Sequence, residues 1–273
     1  MAKPKLALLP AAQGTSLYSV LPSSGVGDFD FTRSGSATRI NSQGLIETVT
    51  SGVSRLNYPM IDGVVKGCPS HILEPVRTNS IQYSEDFSQW TTAALTITNN
   101  NAISPNGNLN ADLVTADGTN NQHYVLQVQS SSAKTMSIFA KAGTHQFIQI
   151  LTSGTATPVA NYDLINGTTN LVGSSSTSSI ENYGNGWYRC ILSTTDVAAG
   201  SFYVCFSNSL SSGRFPSILS SGTIYLWGAQ SEANASYPTS YIPTTTSVVT
   251  RSAETANGSG SASTFNDSEG VLM

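Results

Sequence analysis

Histidines, carboxylates and aromatic residues are the side chains of this sequence that could do chemistry. His71, His123 and His145 lie in unrelated contexts, without a Gly-x-Ser-x-Gly turn or a His-Glu-x-x-His pair. The 16 acidic residues are scattered singly, so no two are recognisable as a pair acting across a glycosidic bond. These patterns predict a protein that is not an enzyme.

The aromatic residues indicate sugar binding instead, because sugars are held by flat aromatic faces and planar hydrogen-bonding groups. In alternating strands one member of an adjacent aromatic pair faces the core, and we expect Trp187 and Trp227 to do so. Tyr188 and Tyr225 are expected on the opposite faces of these strands. The predicted glycan-binding residues are Tyr188, Tyr225, Tyr124, Tyr162 and Trp90. Exposed tyrosines also serve interfaces between chains, which is the competing interpretation.

Carboxylates raise the question of a structural calcium ion, which takes hard oxygen ligands. Glu85, Asp86 and Glu232 could supply them. No Asp-x-Asp-x-Asp spacing accompanies these residues, so the sequence favours solvated surface acids. We therefore predict no metal site and no cofactor.

The three cysteines, Cys68, Cys190 and Cys205, are an odd number without C-x-x-C spacing. They predict neither a disulfide framework nor a zinc site. Cys190 and Cys205 lie in strand-like runs, so both are expected to be small core residues.

Composition limits the partners. Charged residues make up 10% of the chain, against roughly 25% in average soluble domains. A net charge of −4 and the lack of a basic cluster predict no nucleic-acid binding. The apolar run of residues 6–9 ends at Pro10, which is too short for a signal-peptide core or a membrane helix, so we expect no membrane insertion.

The elements that must position these residues are predicted to be β-strands. Turn residues recur every 8–12 residues or so, a spacing typical of sandwiches and barrels, and helical periodicity is nearly absent. Three sets of alternating residues are each predicted to share a core-facing side: Met136, Ile138 and Ala140; Ile148 and Ile150; Phe202, Val204 and Phe206. Tyr203 and Cys205 are expected opposite the last set. The pattern predicts an all-β fold, an antiparallel β-sandwich of the jelly-roll type.

Composition divides the chain into four parts. Residues 1–27 are predicted to be an extended N-terminal anchoring arm, and residues 28–79 a short-stranded β block for oligomerisation or attachment. This block is too small to bury much alone, so it pairs with itself, with another chain or with the later part of its own chain. Residues 80–250 are the predicted jelly-roll domain. Residues 251–273 have linker composition, and the apolar end of the sequence leads us to expect a further C-terminal domain.

Motifs spread over the chain resemble a known family. Residues 29–47 (FDFTRSGSATRINSQGLIE), 55–58 (RLNY) and 72–79 (ILEPVRTN) resemble a recurrent N-terminal block of phage virion fibre and spike proteins. Later motifs resemble the β-sandwich that these proteins carry, which is similar to jelly-roll carbohydrate-binding modules. They are residues 83–90 (YSEDFSQW), 104–107 (SPNG), 140–142 (AKA), 184–189 (GNGWYR), 227–230 (WGAQ), 240–243 (SYIP) and 249–251 (VTR).

This resemblance covers roughly residues 28–252 and implies a structural virion protein, a head or tail fibre subunit on the particle surface. Such proteins are typically homotrimers, bind a capsid or tail protein through the N-terminal region and contact host-surface glycans. Trimerisation also fits a block without its own core and the avidity that fibres exploit. Two alternatives remain: a carbohydrate-binding module of a secreted polysaccharide-active protein, and a bacterial surface adhesin. Both would require export.

Overall fold

The computed structural model describes residues 12–13, 16–17, 30–129, 134–153, 159–173, 176–195 and 200–257. The first nine strands are β1 (Ala12–Gln13), β2 (Ser16–Leu17), β3 (Asp30–Thr32), β4 (Ala37–Ile40), β5 (Ile46–Val49), β6 (Arg55–Asn57), β7 (Met60–Ile61), β8 (Val64–Val65) and β9 (Ser70–Ile72). The next ten are β10 (Arg77–Asn79), β11 (Thr91–Ala93), β12 (Leu95–Ile103), β13 (Leu109–Ala116), β14 (Asn120–Asn121), β15 (Tyr124–Val128), β16 (Lys134–Ala142), β17 (Phe147–Thr152), β18 (Val159–Asp163) and β19 (Thr168–Val172). The last seven are β20 (Ser176–Gly184), β21 (Trp187–Thr194), β22 (Ser201–Ser207), β23 (Ile218–Leu219), β24 (Thr223–Ala233), β25 (Val249–Arg251) and β26 (Thr255–Asn257). A 3-10 helix, Phe87–Gln89, lies between β10 and β11. The described residues include no helix of the length and hydrophobicity that a bilayer-spanning segment requires.

Two antiparallel sheets form the body of the protein. The large sheet has the order β12-β13-β24-β16-β21-β20, and β10 joins it at β24 and carries β25. The small sheet has the order β11-β15-β22-β17-β18-β19. Strands distant in sequence are neighbours, since β24 lies between β13 and β16, and β22 between β15 and β17. The prediction of an all-β antiparallel sandwich is confirmed.

The main core lies between the two sheets. All three predicted sets of core-facing residues belong to it: Met136, Ile138 and Ala140; Ile148 and Ile150; Phe202, Val204 and Phe206. Cys190 is buried in the same core, whereas Cys205 and Tyr203 lie on the other face of the small sheet, as predicted. Alternation along each strand was therefore sufficient to identify the main core, because it follows from the strand geometry alone.

A second core covers the outer face of the large sheet. It unites Ile46 of the N-terminal block with Phe139, Trp187, Trp227 and Tyr241. The ring centroids of Trp227 and Tyr241 are 4.7 Å apart, and those of Trp227 and Phe139 are 5.3 Å apart. Both tryptophans are buried, as predicted. They pack beneath the block, however, and not between the sheets, which is why most of β16 is buried on both faces.

The block of residues 28–79 pairs with itself and with the C-terminal part of this chain. Its internal pairs are β4–β5, β6–β9 and β7–β8. In addition, β10 pairs with β24 and β25, and β3 pairs with β26. Of the three partners that the sequence left open, the described structure therefore contains two.

The prediction of a linker from residue 251 onward is wrong for residues 251–257, which belong to the fold. Arg251 and Glu254 are buried, and β26 is hydrogen-bonded to β3. The Ser/Gly-rich composition suggested a linker because composition carries no information about contacts with residues distant in the sequence. Residues 258–273, and residues 1–27 apart from the β1–β2 pair, lie outside the described residues.

Candidate functional site

Two of the predicted glycan-binding residues are core residues, and their prediction is corrected. Tyr162 is fully buried in the main core, and its hydroxyl donates a hydrogen bond to the carbonyl oxygen of Ile191 at 2.5 Å. Trp90 is 5% exposed, and its indole N–H donates to the carbonyl of Tyr83 at 3.2 Å. A ring enclosed by the core has no face left for a sugar.

Tyr188 and Tyr225 are half-buried, and only Tyr188 lies on the face of its strand that was expected. Tyr188 is indeed on the face opposite Trp187, yet that face belongs to the main core, against which Tyr188 packs. Tyr225 shares a face with Trp227, because residues two positions apart in a strand point the same way, and it packs against the second core. The expectation that Tyr225 lies opposite Trp227 is wrong.

Tyr124 is the one predicted residue that lies in a half-buried aromatic patch away from the two larger cores. With Tyr203 and Phe215 it forms a group of three rings on the outer side of the small sheet, with centroids 4.9–5.9 Å apart, in which Tyr203 stands edge to face with both other rings. This side is partly covered by residues 208–216. Gln149 and Asn161 hold that loop by donating hydrogen bonds to the carbonyls of Gly213 and Ser212. Rings that stand edge to face do not make a continuous flat platform for a sugar chain.

The acids considered for calcium have protein partners. Glu232 is fully buried and accepts hydrogen bonds from the backbone N–H and hydroxyl of Thr239, at 2.9 and 2.5 Å. Glu85 accepts from the hydroxyl of Tyr241 and the amide of Asn110. The prediction of solvated surface acids is therefore wrong for Glu232. Among the described residues, no three His, Cys, Asp or Glu side chains are grouped to hold a metal ion.

Two of the histidines serve the packing of the sandwich, and the third serves that of the N-terminal block. His123 is buried, and its two ring nitrogens lie 2.8 Å from the carbonyl oxygen of Ala94 and 3.0 Å from that of Ile218. The Nε2 atom of His145 lies 2.8 Å from the carbonyl oxygen of Ser207. His71 packs edge-on against the ring of Phe31. None of these histidines belongs to the lining of the two grooves beside the N-terminal block.

A buried charge cluster joins the N-terminal block to the end of the described chain; it consists of Arg33, Arg55, Glu74, Arg251 and Glu254. The Glu254 carboxylate accepts hydrogen bonds from Arg33 at 2.7 Å and from Arg55 at 2.8 Å. Glu74 pairs with Arg55 at 2.8 Å and with Arg251 at 2.9 Å. The side chains of Arg33, Arg55 and Glu254 have no exposed surface. Such charges are tolerated inside a protein only when they are paired and hydrogen-bonded.

The cluster alters the acidity of its members. Burial by itself would raise the pKa of Glu254, but hydrogen bonds from Arg55 and Arg33 outweigh it and hold that pKa below its ordinary value. The pKa of Glu74 is likewise lowered, by Arg251, Ser240 and Arg55 against the effect of burial. Both carboxylates therefore stay ionised, and their ion pairs hold the N-terminal block against the C-terminal strands.

A groove runs along the junction between this block and the large sheet, and we call it the junction groove. Its volume is about 600 Å³, within the range of small-ligand sites, roughly 300–1,000 Å³. The walls come from the turn of residues 42–45, the β7–β8 hairpin and residues 102–105. The large sheet contributes Lys141, Tyr183, Asn185 and Trp187.

Close backbone contacts fix the walls of the junction groove. The turn of the β7–β8 hairpin approaches β20 so closely that a Cβ on Gly184 would lie 2.4 Å from the carbonyl oxygen of Gly63. The opposite wall is tied to the sandwich, since the N–H of Ile46 donates to the carbonyl of Pro105 at 3.0 Å. The groove is thus preformed, which lowers the entropy lost when a ligand binds.

Polar groups without a protein partner line the junction groove. The side chains of Lys141, Gln43 and Asn185 make no hydrogen bond or ion pair within the described part of the chain. Trp187 differs, because its indole N–H donates to the carbonyl of Ile103 at 3.0 Å and holds the ring in place. The groove can therefore offer an ammonium group, two amides and aromatic surface to a ligand.

A smaller groove of about 230 Å³ adjoins it and shares Tyr183. Arg39, Glu181 and the buried Arg189 contribute to its lining. The guanidinium of Arg189 lies 5.5 Å from the ring centroid of Phe139 and donates to the carbonyl of Thr239 at 2.9 Å. Burial raises the pKa of the Tyr183 hydroxyl, so this group remains a neutral donor.

None of the five predicted residues lines either groove, and sequence reasoning missed those that do. Lys141, Asn185 and Trp187 lie within the motifs of residues 140–142 and 184–189, yet only Trp187 was considered, as a core residue. The groove forms where the block meets the sheet, so strand alternation gives no local sign of it.

The comparisons with known proteins leave the family open. No protein-family model matches the chain, and no curated protein matches it. One of the matching solved structures is that of TmCBM61 in complex with beta-1,4-galactotriose. It is 10% identical, the match covers 56% of this chain and 97% of that chain, and the TM-score is 0.32. A likeness of this degree gives no argument about ligand or role.

Proposed function

We propose that this protein is a phage fibre or spike subunit whose β-sandwich contacts glycans on the host surface. The observation that supports it best concerns the motifs that resemble this family. Arg33, Arg55, Glu74 and Arg251 come from four of these motifs, far apart in the sequence, and meet in the buried charge cluster. The motifs thus describe one cooperating unit of block and sandwich, as expected of a genuine module.

Attachment and assembly form one part of the proposal. The subunit is a homotrimer on the particle surface and binds a capsid or tail protein through its N-terminal region. Because the block packs on its own sandwich, the face that it buries there is not available for contacts between subunits. Light scattering of the purified chain should give three times the chain mass of 28.6 kDa. A single-chain mass at micromolar concentration would contradict the trimer.

Glycan contact is the other part, and no catalysis accompanies it. The junction groove supports this part, since it combines fixed aromatic rings with amides and contains no carboxylate or histidine in its described lining. We expect binding to immobilised host-surface polysaccharide without release of reducing ends. If no surface glycan tested is bound, the proposed glycan contact is contradicted. Release of reducing ends from the polysaccharide would indicate an enzymatic role instead.

The alternative is a carbohydrate-binding module of a secreted polysaccharide-active protein. The preformed groove suits it equally well, but it requires a monomer and a neighbouring catalytic domain. A monomeric mass together with glycan binding would favour this alternative. Mass spectrometry of purified phage particles that includes this chain would exclude it.

A further inference from the structure

We propose that the junction groove binds a carboxylated sugar residue, of the uronic-acid or sialic-acid type, with its carboxylate against Lys141. The inference rests on the proposed glycan contact and adds the site and the ligand class. None of the tyrosines predicted from the sequence takes part. Three properties of the groove support this assignment: its charge, the rings and amides of its lining, and the single lysine without arginine among the described lining residues.

The charge of the groove is positive although the chain carries −4 overall. Lys141 is half-buried in the lining, which includes no Asp or Glu among the described residues. Asp62 and Lys66 of the β7–β8 hairpin lie outside the lining and pair with each other at 3.4 Å. The Lys141 ammonium is therefore not neutralised by the protein. In a partly enclosed site such a charge attracts an anion more strongly than it would in open water.

The lining of the groove suits a sugar ring. Tyr183 is half-buried and stands edge-on to Phe139, at 4.8 Å between centroids and 89° between planes, so its orientation is set. A fixed ring loses little entropy when a sugar packs on it. The amides of Gln43 and Asn185 are placed in the same lining and can pair with hydroxyl groups.

A carboxylate fits this groove better than a phosphate does. Phosphate sites in proteins typically use arginine forks or a series of backbone N–H groups. The described lining of the junction groove has one lysine and no arginine. One ammonium group matches the single charge of a uronate or sialate.

The test is titration calorimetry of the full chain with polygalacturonate and with polysialic acid. Methyl-esterified polygalacturonate and a neutral galactan serve as uncharged comparisons. We expect binding of at least one acidic polymer, and either one supports the inference and identifies the sugar type. Lys141→Met should weaken that binding about fivefold or more, the value of a modest ion pair. The matched control Lys66→Met removes a charge outside the lining and should stay within about twofold of the original chain.

A second variant keeps the test decisive if Lys141→Met folds poorly. Asn185 is exposed and lies in the turn between β20 and β21, so Asn185→Asp adds a carboxylate to the groove with little risk to the fold. It should weaken binding of the acidic polymer and leave any binding of neutral galactan unchanged. Thermal melting by circular dichroism checks that each variant is folded.

Two results would overturn the inference in different ways. If neutral galactan binds as tightly as the acidic polymers, or if Lys141→Met binds like the original chain, the groove assignment fails while glycan contact stands. If no glycan on an array of neutral and acidic sugars is bound, the proposed glycan contact fails, and this inference fails with it.

Discussion

The Glu254 carboxylate connects several parts of the buried charge cluster, because it accepts hydrogen bonds from Arg33, Arg55 and the backbone N–H of Glu74. These partners come from three separate segments of the N-terminal block. A carboxylate with such partners determines more than its own local structure, because it neutralises the buried guanidinium groups of both Arg33 and Arg55. We make two predictions for this residue, one for its stability contribution and one for its pH dependence.

Replacing Glu254 by glutamine should cost about 3 kcal/mol of unfolding free energy, because Arg33 and Arg55 would remain buried without their main counter-charge. Urea unfolding followed by circular dichroism measures the change. The control is Glu47→Gln, which removes a partly exposed pair with Arg39 at 2.7 Å and should cost about 1 kcal/mol or less. Equal losses in the two variants would show that the buried cluster contributes no more to stability than a surface ion pair does.

The lowered pKa of Glu254 also predicts how stability depends on pH. The folded state holds this carboxyl below the ordinary value of 4.5, so the unfolded state takes up the proton first as the pH falls. Stability from Glu254 is therefore complete above about pH 4.5 and is lost below it, down through the folded-state pKa. The stability difference between the original chain and Glu254→Gln should shrink in this window.

Glu85 and Asp112 oppose this trend, because burial raises the pKa of both. They are present in the original chain and in Glu254→Gln alike, so the difference between the two isolates Glu254. Unfolding curves at pH 3 to 7 provide the measurement. A difference that stays constant across this range would contradict the assigned charge state.

At the scale of elements, the docking of the β7–β8 hairpin on β20 shapes the junction groove. Gly63 and Gly184 meet at this contact, and both have a positive φ, of 78°. Alternating hydrophobic residues are enough to predict the strands, but this close contact also requires that neither Gly63 nor Gly184 carries a side chain. The position of the hairpin therefore depends on these two glycines as well as on the hydrophobic pattern.

Gly184→Ala tests that contact, with Gly35→Ala as its matched control. Gly35 also has a positive φ, 81°, but a Cβ there would meet nothing within 4 Å. The control should cost about 1 kcal/mol for the backbone conformation alone. Gly184→Ala should cost at least about 1 kcal/mol more, because its Cβ would collide with Gly63. Calorimetric melting compares them, and equal losses would mean that the hairpin is not closely docked.

For the whole molecule, the pairing of β3 with β26 has a topological consequence. Asp30 and Asn257 are register partners in this antiparallel pair. Residues 30–257 therefore begin and end at neighbouring points. A spacer that continues a fibre in line would need its two ends on opposite sides of the fold, so the pairing favours a sandwich that projects sideways from the proposed fibre.

A double substitution, Asp30→Cys with Asn257→Cys, tests this arrangement. Partners in an antiparallel pair have Cα atoms about 4.5–5.5 Å apart, within disulfide reach. Oxidation should link them, shift the band on a non-reducing gel and raise the melting temperature. Cys68 is exposed and is replaced by serine in this background, whereas burial raises the pKa of Cys190 and Cys205 and keeps them unreactive. Failure to form the bond would contradict the pairing.

The site was less predictable than the fold. The sequence predicts Trp90 and Tyr162 as glycan-binding residues, yet both belong to the main core, because the packing of the sheets decides which side chains are buried. The sequence around Lys141 gave no indication of a binding site, since a single lysine in a strand is usually solvated. Its proposed role depends on the β7–β8 hairpin, which lies beside it only in the folded chain.

Local pattern and tertiary contact thus determined different things. The sequence by itself determined the all-β class and the residues of the main core, such as Ile138 and Val204, because the period of two is a property of each strand. The tertiary structure decided where Trp187 and Trp227 are buried, which charges form the cluster and where the groove lies. Arg55 and Glu254 are 199 positions apart, and only the folded chain brings such partners together.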